Sequence, residues 1–287
     1  MKTVLITGTS SGIGLATAIT AAQAGYSVVA TLRDPSRAQD LLSAADAAGV
    51  TLDVRRMDVT DAGSVADCVT AVAEHYGRLD AVVNNAGISN FDPTMEMSTM
   101  DNLRANLEVN FFGVIEVSRL AMPLLRAAGG RLVTIGSVHG VVGQPFNEAY
   151  CAAKFAVEGF MESLAPVARA HGVAVSVVVP GFVPGTRFGH FPDINRKTIQ
   201  AISGDYAPTF AAYFDWVVSQ GWEGAGQKTQ EVADVVVHTL TADDPPFRVA
   251  TSDWVEDYLA EKLTDRDGRR VQTLAATWIG SSPEVAG

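Results

Sequence analysis

Cysteine is scarce in this chain of 287 residues. Cys68 and Cys151 are its only two, too few for a disulfide framework, so the fold must rest on a buried core. Positive charge is in deficit, with 21 Lys and Arg against 32 Asp and Glu and a formal net charge of -11. That balance repels polyanions and argues against nucleic acid or an anionic membrane surface as a partner. No block of like charge and no basic patch interleaved with aromatics stands out. Long apolar runs are missing too: none approaches the roughly 20 residues that span a bilayer. The opening Met1-Lys2-Thr3-Val4-Leu5-Ile6-Thr7-Gly8 is too short an apolar stretch for a secretory leader. Pro and Gly are scattered among turns and never collect into a flexible tract, and no internal repeat is evident. These absences predict a cytoplasmic chain with neither a nucleic-acid nor a membrane partner.

What is present is an apolar rhythm. Hydrophobic residues make up 47% of the chain, enough for a large core. Short Val/Ile/Leu-rich segments at 3–7, 27–32, 52–57, 80–84, 131–136, 174–179 and 247–250 read as strands. Most are apolar throughout rather than alternating, as in strands covered on both faces. Segments of helical period fill the gaps at 12–24, 36–48, 61–76, 99–127, 148–170 and 229–241. Repeated β-α units with right-handed crossovers predict an α/β fold with a doubly wound parallel sheet, Rossmann-type, as one domain over 1–287. Two stretches break the rhythm: about 185–228, which reads as a substrate lid, and a C-terminal extension from about 253 to 287. The extension carries two amphipathic pieces, Trp254–Leu263 and Arg269–Trp278.

After the first strand comes Thr7-Gly8-Thr9-Ser10-Ser11-Gly12-Ile13-Gly14, opening directly into a helix. Glycines at 8, 12 and 14 allow a tight turn and a close approach of a pyrophosphate to main-chain N–H groups. The helix N-terminus adds unpaired donors and the favourable end of its dipole. The spacing is G-x-x-x-G-x-G, not the G-x-G-x-x-G of other dinucleotide folds. It resembles the T-G-x-x-x-G-x-G fingerprint of the short-chain dehydrogenase/reductase family. The resemblance implies a nicotinamide cofactor on Gly8, Ser10, Ser11, Gly12, Ile13 and Gly14.

The end of the second strand decides which nicotinamide. An acid there bonds the free ribose hydroxyls of NAD, whereas an Arg accommodates the extra phosphate of NADP. The segment reads Thr31-Leu32-Arg33-Asp34, with Leu32 where NAD-using relatives carry the acid and Arg33 next. A guanidinium fork suits a phosphate, so NADP(H) is expected. The alternative is NAD(H), with Asp34 as the ribose ligand and Arg33 solvated. Asp58 and Val59 match the family positions at the adenine. Asp58's other reading is as a helix cap, for which Thr60 and Asp61 are better placed.

Further along, Asn84-Asn85-Ala86-Gly87 ends a strand, and Asn110 sits inside an apolar helix where Asn is a poor former. Ser137 ends the fifth strand, at the carboxyl edge where open α/β sheets bind ligands. Tyr150 and Lys154 stand four apart and share a helical face. In carbonyl reduction the substrate oxygen gains negative charge and needs a proton. A free tyrosine has a pKa of about 10, and a neighbouring ammonium favours its phenolate. Lys154 is that ammonium, Ser137 polarises the substrate oxygen, and Asn110 would order a water linking Lys154 to solvent. The order Asn110, Ser137, Tyr150, Lys154 is similar to the family's catalytic tetrad, and the resemblance covers roughly residues 1–190. It also implies cofactor contacts at Tyr150 and at Lys154, which holds the nicotinamide ribose hydroxyls, at Asn85, Ala86 and Gly87, and at Pro180, Gly181 and Val183, where backbone groups meet the carboxamide. The family's following Thr is displaced here by Pro184-Gly185 to Thr186.

Between 187 and 226 lie Phe188, Phe191, Tyr206, Phe210, Tyr213, Phe214, Trp216 and Trp222. An aromatic lid suits a bulky apolar molecule, with about half of these rings expected to pack internally. The segment from Ala30 to Pro35 and the extended C-terminus are similar to the hydroxysteroid and retinol dehydrogenase branch, which implies a steroid-, retinoid- or polyketide-like ketone or alcohol. His139 reads as a solvated loop residue beside Ser137, while Phe146, Asn147 and Glu148 border the same place. The competing reading is a non-catalytic NADP(H)-binding sensor, which would typically have lost Tyr150 or Lys154. Nucleotide-sugar chemistry would call for a G-x-x-G-x-x-G turn, absent here. The resemblance further implies a homodimer or homotetramer through the helices at 99–127 and 148–170.

Overall fold

The computed structural model describes residues 1–89, 94–186, 201–216 and 226–260. Seven strands form one parallel sheet: β1 (Thr3–Thr7), β2 (Ser27–Leu32), β3 (Asp53–Arg56), β4 (Ala81–Asn84), β5 (Arg131–Ile135), β6 (Ala174–Val179) and β7 (Arg248–Ala250). Their order is β3-β2-β1-β4-β5-β6-β7. The central strands are buried along nearly their whole length, which is why they read as unbroken apolar runs. β3, Asp-Val-Arg-Arg, is only half-buried. It lies at an edge of the sheet, where charge discourages pairing with another chain.

Helices cover both faces. They are α1 (Gly12–Gln23), α2 (Gln39–Ala47), α3 (Ala62–Tyr76), α4 (Met100–Leu107), α5 (Gly113–Ala128), α6 (Glu148–Arg169), α7 (Ala207–Trp216), α8 (Thr229–Thr241) and α9 (Asp253–Ala260). One core joins the sheet to α3, α5, α6 and α9 through Val72, Leu125, Met161 and Leu259. The other joins it to α1, α2 and α8 through Ala18, Leu41, Val236 and Leu240. No helix among the described residues is long and apolar enough to cross a membrane.

Two helices differ from their sequence reading. The helix expected from 36 opens as a 3-10 turn, Pro35–Arg37, capped by Asp34, before α2 starts at Gln39. The single helix expected over 99–127 is interrupted: a π turn, Glu108–Phe112, separates α4 from α5. Single π turns of this kind accompany functional sites, and Asn110 lies within this one. Of the C-terminal extension, α9 matches the first amphipathic piece as far as Ala260. Arg269–Trp278 lies outside the described residues.

The chain leaves β1 toward β2 on one side and β4 toward β5 on the other. The loops after β1 and β4 therefore diverge and open a crevice at the carboxyl edge, the switch point of a doubly wound sheet. The far edge is fastened to α6 by a buried ion pair. Arg248 on β7 donates through Nε to Glu158 Oε1 at 2.7 Å, and its Nη2 lies 3.8 Å from Glu162 Oε2. Burial raises the Glu158 pKa, opposed by the guanidinium. Removing one partner of such a pair strands the other charge. Glu158→Ala is expected to lower the unfolding free energy by about 3 kcal/mol, read as a lower urea midpoint at unchanged slope.

Candidate active site

The crevice is a cleft of about 580 Å³, bordered by the glycine turn and by the carboxyl ends of β2, β4, β5 and β6. Its floor is shaped by close backbone packing. Gly8 and Gly12 have φ of +71° and +61°, a region that favours glycine. A Cβ on Gly14 would stand 2.3 Å from both Asn85 Nδ2 and the Gly8 carbonyl oxygen. Asn85 staples the two loops across the crevice: its Nδ2 donates to the carbonyls of Thr7 and Gly8, each at 2.9 Å. Thr7 Oγ1 accepts the N–H groups of Asn85 at 3.0 Å and Ala86 at 2.9 Å. The Asn85 side chain is thus structural, while Ala86 and Gly87 line the cleft beside it. Ser11, the N-cap of α1, makes no side-chain cap bond, so the first turn of α1 keeps donors for an anion. Ser10, Ser11, Gly12 and Ile13 all border the cleft there.

At one end stand Leu32, Arg33, Asp34 and Arg37. Asp34 accepts from the Ser36 N–H at 3.0 Å and its hydroxyl at 2.7 Å. These bonds hold the carboxyl below its ordinary range and engage it locally. Arg33 and Arg37 are exposed; Arg37 donates its main-chain N–H to the Asp34 carbonyl at 3.1 Å, and neither guanidinium is hydrogen-bonded among the described residues. Arg37 was not singled out in the sequence, because it falls in a turn that reads as the start of a helix. Asp58 accepts from the Thr60 N–H at 3.1 Å and its hydroxyl at 2.8 Å. The cap of α3 is Asp61, which accepts from Gly63 and Ser64. Asp58 and Val59 line the cleft.

At the other end the structure brings Ser137, Tyr150 and Lys154 together, at 8%, 7% and 6% exposure. A hydrogen bond joins the Ser137 and Tyr150 hydroxyls, and Ser137 Oγ also accepts the His139 N–H at 3.1 Å. Lys154 Nζ donates to the Ile135 carbonyl at 2.8 Å and lies 5.8 Å from the centre of the Tyr150 ring. Burial dominates both ionisations: it lifts Tyr150 to about 12 against the Ser137 hydrogen bond, and lowers Lys154 to about 8. Burial thus raises the Tyr150 phenol where the sequence predicts that the Lys154 ammonium draws it down. The same dry pocket that raises the phenol also discourages the charge on the amine.

Asn110 does not line this end of the cleft. Its Oδ1 accepts the Ile88 N–H at 3.1 Å and its Nδ2 donates to the Ile88 carbonyl at 2.8 Å. Its visible task is to hold the loop after β4. Pro180, Gly181 and Val183 line the cleft too, and so does Thr186, its methyl 3.3 Å from where a Cβ on Gly12 would sit.

Several polar residues add to the site. His139 is buried rather than solvated, and Gln144 and Asn147 line the cleft with it. Asn147 Nδ2 donates to Gln144 Oε1 at 2.9 Å, and Gln144 Nε2 donates to the Tyr213 hydroxyl on α7 at 2.6 Å. Phe146, at φ +60°, stacks edge-on against Phe210 at 5.3 Å and contacts Tyr213. Phe210 is fully buried and Tyr206 is exposed, its hydroxyl on Glu96. Phe188, Phe191 and Trp222 lie outside the described residues, as do the side chains of Phe214 and Trp216. Cys68 is buried, and so is Cys151, whose thiol accepts the Gln144 N–H at 3.3 Å. Gln144 carried no signal in the sequence, since its role arises from α7, far along the chain.

Burial lowers His139 to about 4, against the hydrogen bond it makes to the Val142 backbone. The unfolded chain takes up a proton near pH 6.5, whereas the folded one resists until about 4. Stability is therefore lost as pH falls through that window, by about 3 kcal/mol in total. His139→Gln is expected to flatten that slope when denaturant midpoints are measured from pH 7 to 4.

Comparison with known proteins finds relatives of this chain and of its fold. The family model for short chain dehydrogenase matches residues 2–191. Retinol dehydrogenase 8 of Bos taurus is 35% identical over 93% of this chain and 86% of its own length. Human 17-beta-hydroxysteroid dehydrogenase type 1 is 34% identical over 94% and 83%. Among solved structures, actinorhodin polyketide ketoreductase with NADPH superposes with a TM-score of 0.72 at 26% identity, covering 87% of this chain and 95% of that one. The glycine turn, the parallel sheet, the family match over residues 2–191 and relatives aligned over more than nine-tenths of the chain lead to one assignment: the chain belongs to the short-chain dehydrogenase family.

Proposed function

We propose that the protein is an NADP(H)-dependent oxidoreductase that interconverts a ketone or aldehyde with an alcohol, with Tyr150 as its general acid and base. One observation carries this reading: Ser137, Tyr150 and Lys154 converge, buried, at one end of a cleft whose other end presents two guanidinium groups. The cleft suits a dinucleotide. Its glycine floor admits no Cβ at Gly14, and the open first turn of α1 matches a pyrophosphate. The reduced nicotinamide supplies the hydride when bound.

The residues of this chain supply the rest. Arg33, with Arg37 beside it, holds the 2′-phosphate, and Asp58 and Val59 border the adenine. Gly8, Ser10, Ser11, Gly12, Ile13 and Gly14 surround the pyrophosphate, while Asn85, Ala86 and Gly87 hold the adjoining wall. Pro180, Gly181 and Val183 present main-chain groups to the carboxamide. Ser137 donates to the substrate oxygen and polarises the carbonyl. Tyr150 keeps its proton in the dry pocket and delivers it as charge grows on that oxygen, since an alkoxide is a far stronger base than a phenolate. Lys154 then favours the phenolate, and protons return along the Lys154 side. Asn110 has its side chain on Ile88, so a relay water there would bind its main chain.

A bulky apolar substrate is in keeping with the aromatic cluster of Phe146, Phe210 and Tyr213, which packs behind Gln144 of the cleft lining. The named relatives, a retinol dehydrogenase and a hydroxysteroid dehydrogenase, point the same way. Assembly as a homo-oligomer through α5 and α6 is supported by Phe155, Phe160 and Val167 on α6 and Phe112 at the end of the π turn before α5, all exposed. Retention of both Tyr150 and Lys154 favours catalysis over a sensor.

Turnover of NADPH with a panel of bulky ketones tests the reading by loss of reduced-nicotinamide absorbance. Tyr150→Phe should lower kcat by about 10²–10⁴ while leaving NADPH affinity nearly unchanged; near-normal turnover would remove Tyr150 as the acid. Arg33→Ala should weaken NADPH about tenfold more than NADH, a difference of about 1.4 kcal/mol. Equal losses would remove the argument for phosphate recognition.

A further inference from the structure

The wall formed by Pro180, Gly181, Phe182 and Val183 faces the cleft, yet it is held from behind by a residue that does not. Gln227 stands just before α8, 46 residues from Gly181 and 24 from Thr251 in sequence. It is buried, at 6% exposure. Its Oε1 accepts the Gly181 N–H at 3.3 Å and the Thr251 hydroxyl at 2.7 Å. Its Nε2 donates to the Thr251 carbonyl at 2.8 Å, and its main-chain N–H donates to the Phe182 carbonyl at 2.9 Å. The Thr251 hydroxyl also lies 3.2 Å from the carbonyl of Val179, the last residue of β6.

The segment has no slack elsewhere. The Val138 N–H donates to the Pro180 carbonyl at 3.0 Å, tying it to the residue after Ser137. A Cβ on Gly181 would meet Val255 Cγ2 at 3.1 Å and the Trp254 ring at 3.4 Å, so α9 closes its outer side. The Gly181 N–H is turned away from the cleft onto Gln227, which sets the peptide planes that follow. Buried polar groups satisfied in this way rigidify a segment into one arrangement.

We propose that Gln227 is a positioning residue: by clamping Gly181 and Phe182 against Thr251, it sets the wall that receives the nicotinamide end of the cofactor. This rests on the reading above that a nicotinamide dinucleotide occupies the cleft. Gln227 touches neither cofactor nor substrate and acts through the backbone of 180–183.

The test compares two probes on the full-length chain by fluorescence or calorimetric titration: NADPH, and 2′-phospho-ADP-ribose, which lacks the nicotinamide. Gln227→Leu removes the three side-chain bonds. It is expected to weaken NADPH at least about fivefold, in line with the loss of a buried hydrogen bond or more, while the analogue binds as to the wild type. A general loss of structure would weaken both probes together, and that result, or no change for either, overturns the proposal. Thr251→Val removes only the hydroxyl that shares Gln227 Oε1. It should show the same selective loss to a smaller degree, and it decides the matter if Gln227→Leu does not fold. A wild-type chain that binds the analogue but gains nothing from the nicotinamide would overturn the proposal with the phosphate reading intact. One that binds neither probe would remove the cofactor reading itself.

Discussion

The bond from Lys154 Nζ to the carbonyl of Ile135 is the constraint around which the site is arranged. It joins α6 to the end of β5 with both partners out of water, and a buried amine tolerates no other placement without a partner. Once it forms, Tyr150, one turn earlier, must face Ser137, two residues beyond Ile135. The contact is close enough that Gly140 accepts no side chain: a Cβ there would lie 3.0 Å from the Lys154 carbonyl. One turn later, Glu158 meets Arg248 of β7, so the same helix fastens the sheet edge.

Dryness sets the electrostatics. Tyr150, Lys154 and His139 all sit where burial disfavours their charged forms, and each shifts toward neutrality. In so dry a pocket any charge is felt strongly, because little solvent screens it. Fixed geometry adds to this: the glycine floor, the Asn85 staple and the Gln227 clamp leave few groups that need to reorganise. The exposed end with Arg33 and Arg37 has the opposite character, long charged side chains in water, suited to capturing an anion rather than to chemistry.

The strands were legible because burial on both faces demands apolar residues, and the sheet needs no other signal. Val82, Val133 and Val178 say as much locally as they do in the fold. The glycine turn and the Tyr150–Lys154 pair were legible for a similar reason: each is local, set by adjacent residues and by helical spacing. The helix at 99–127 misled because its apolar period continues through 108–112. Nothing in that period reveals that Asn110 will seek Ile88, a partner 22 residues away.

The sequence by itself determined the order of elements, the glycine turn and the placing of Tyr150 and Lys154 on one helical face, since these depend on periodicity, backbone freedom and side-chain chemistry within a few residues. Tertiary structure alone decided that Asn85 is a staple, that Asp34 is engaged by Ser36 while Arg37 joins Arg33, that His139 is dry, and that Gln144 meets Tyr213. It also decided the balance of charge, for whether Lys154 lowers the Tyr150 pKa depends on how much water surrounds both. Solvent exposure is a property of the packed chain and is written in no segment of it.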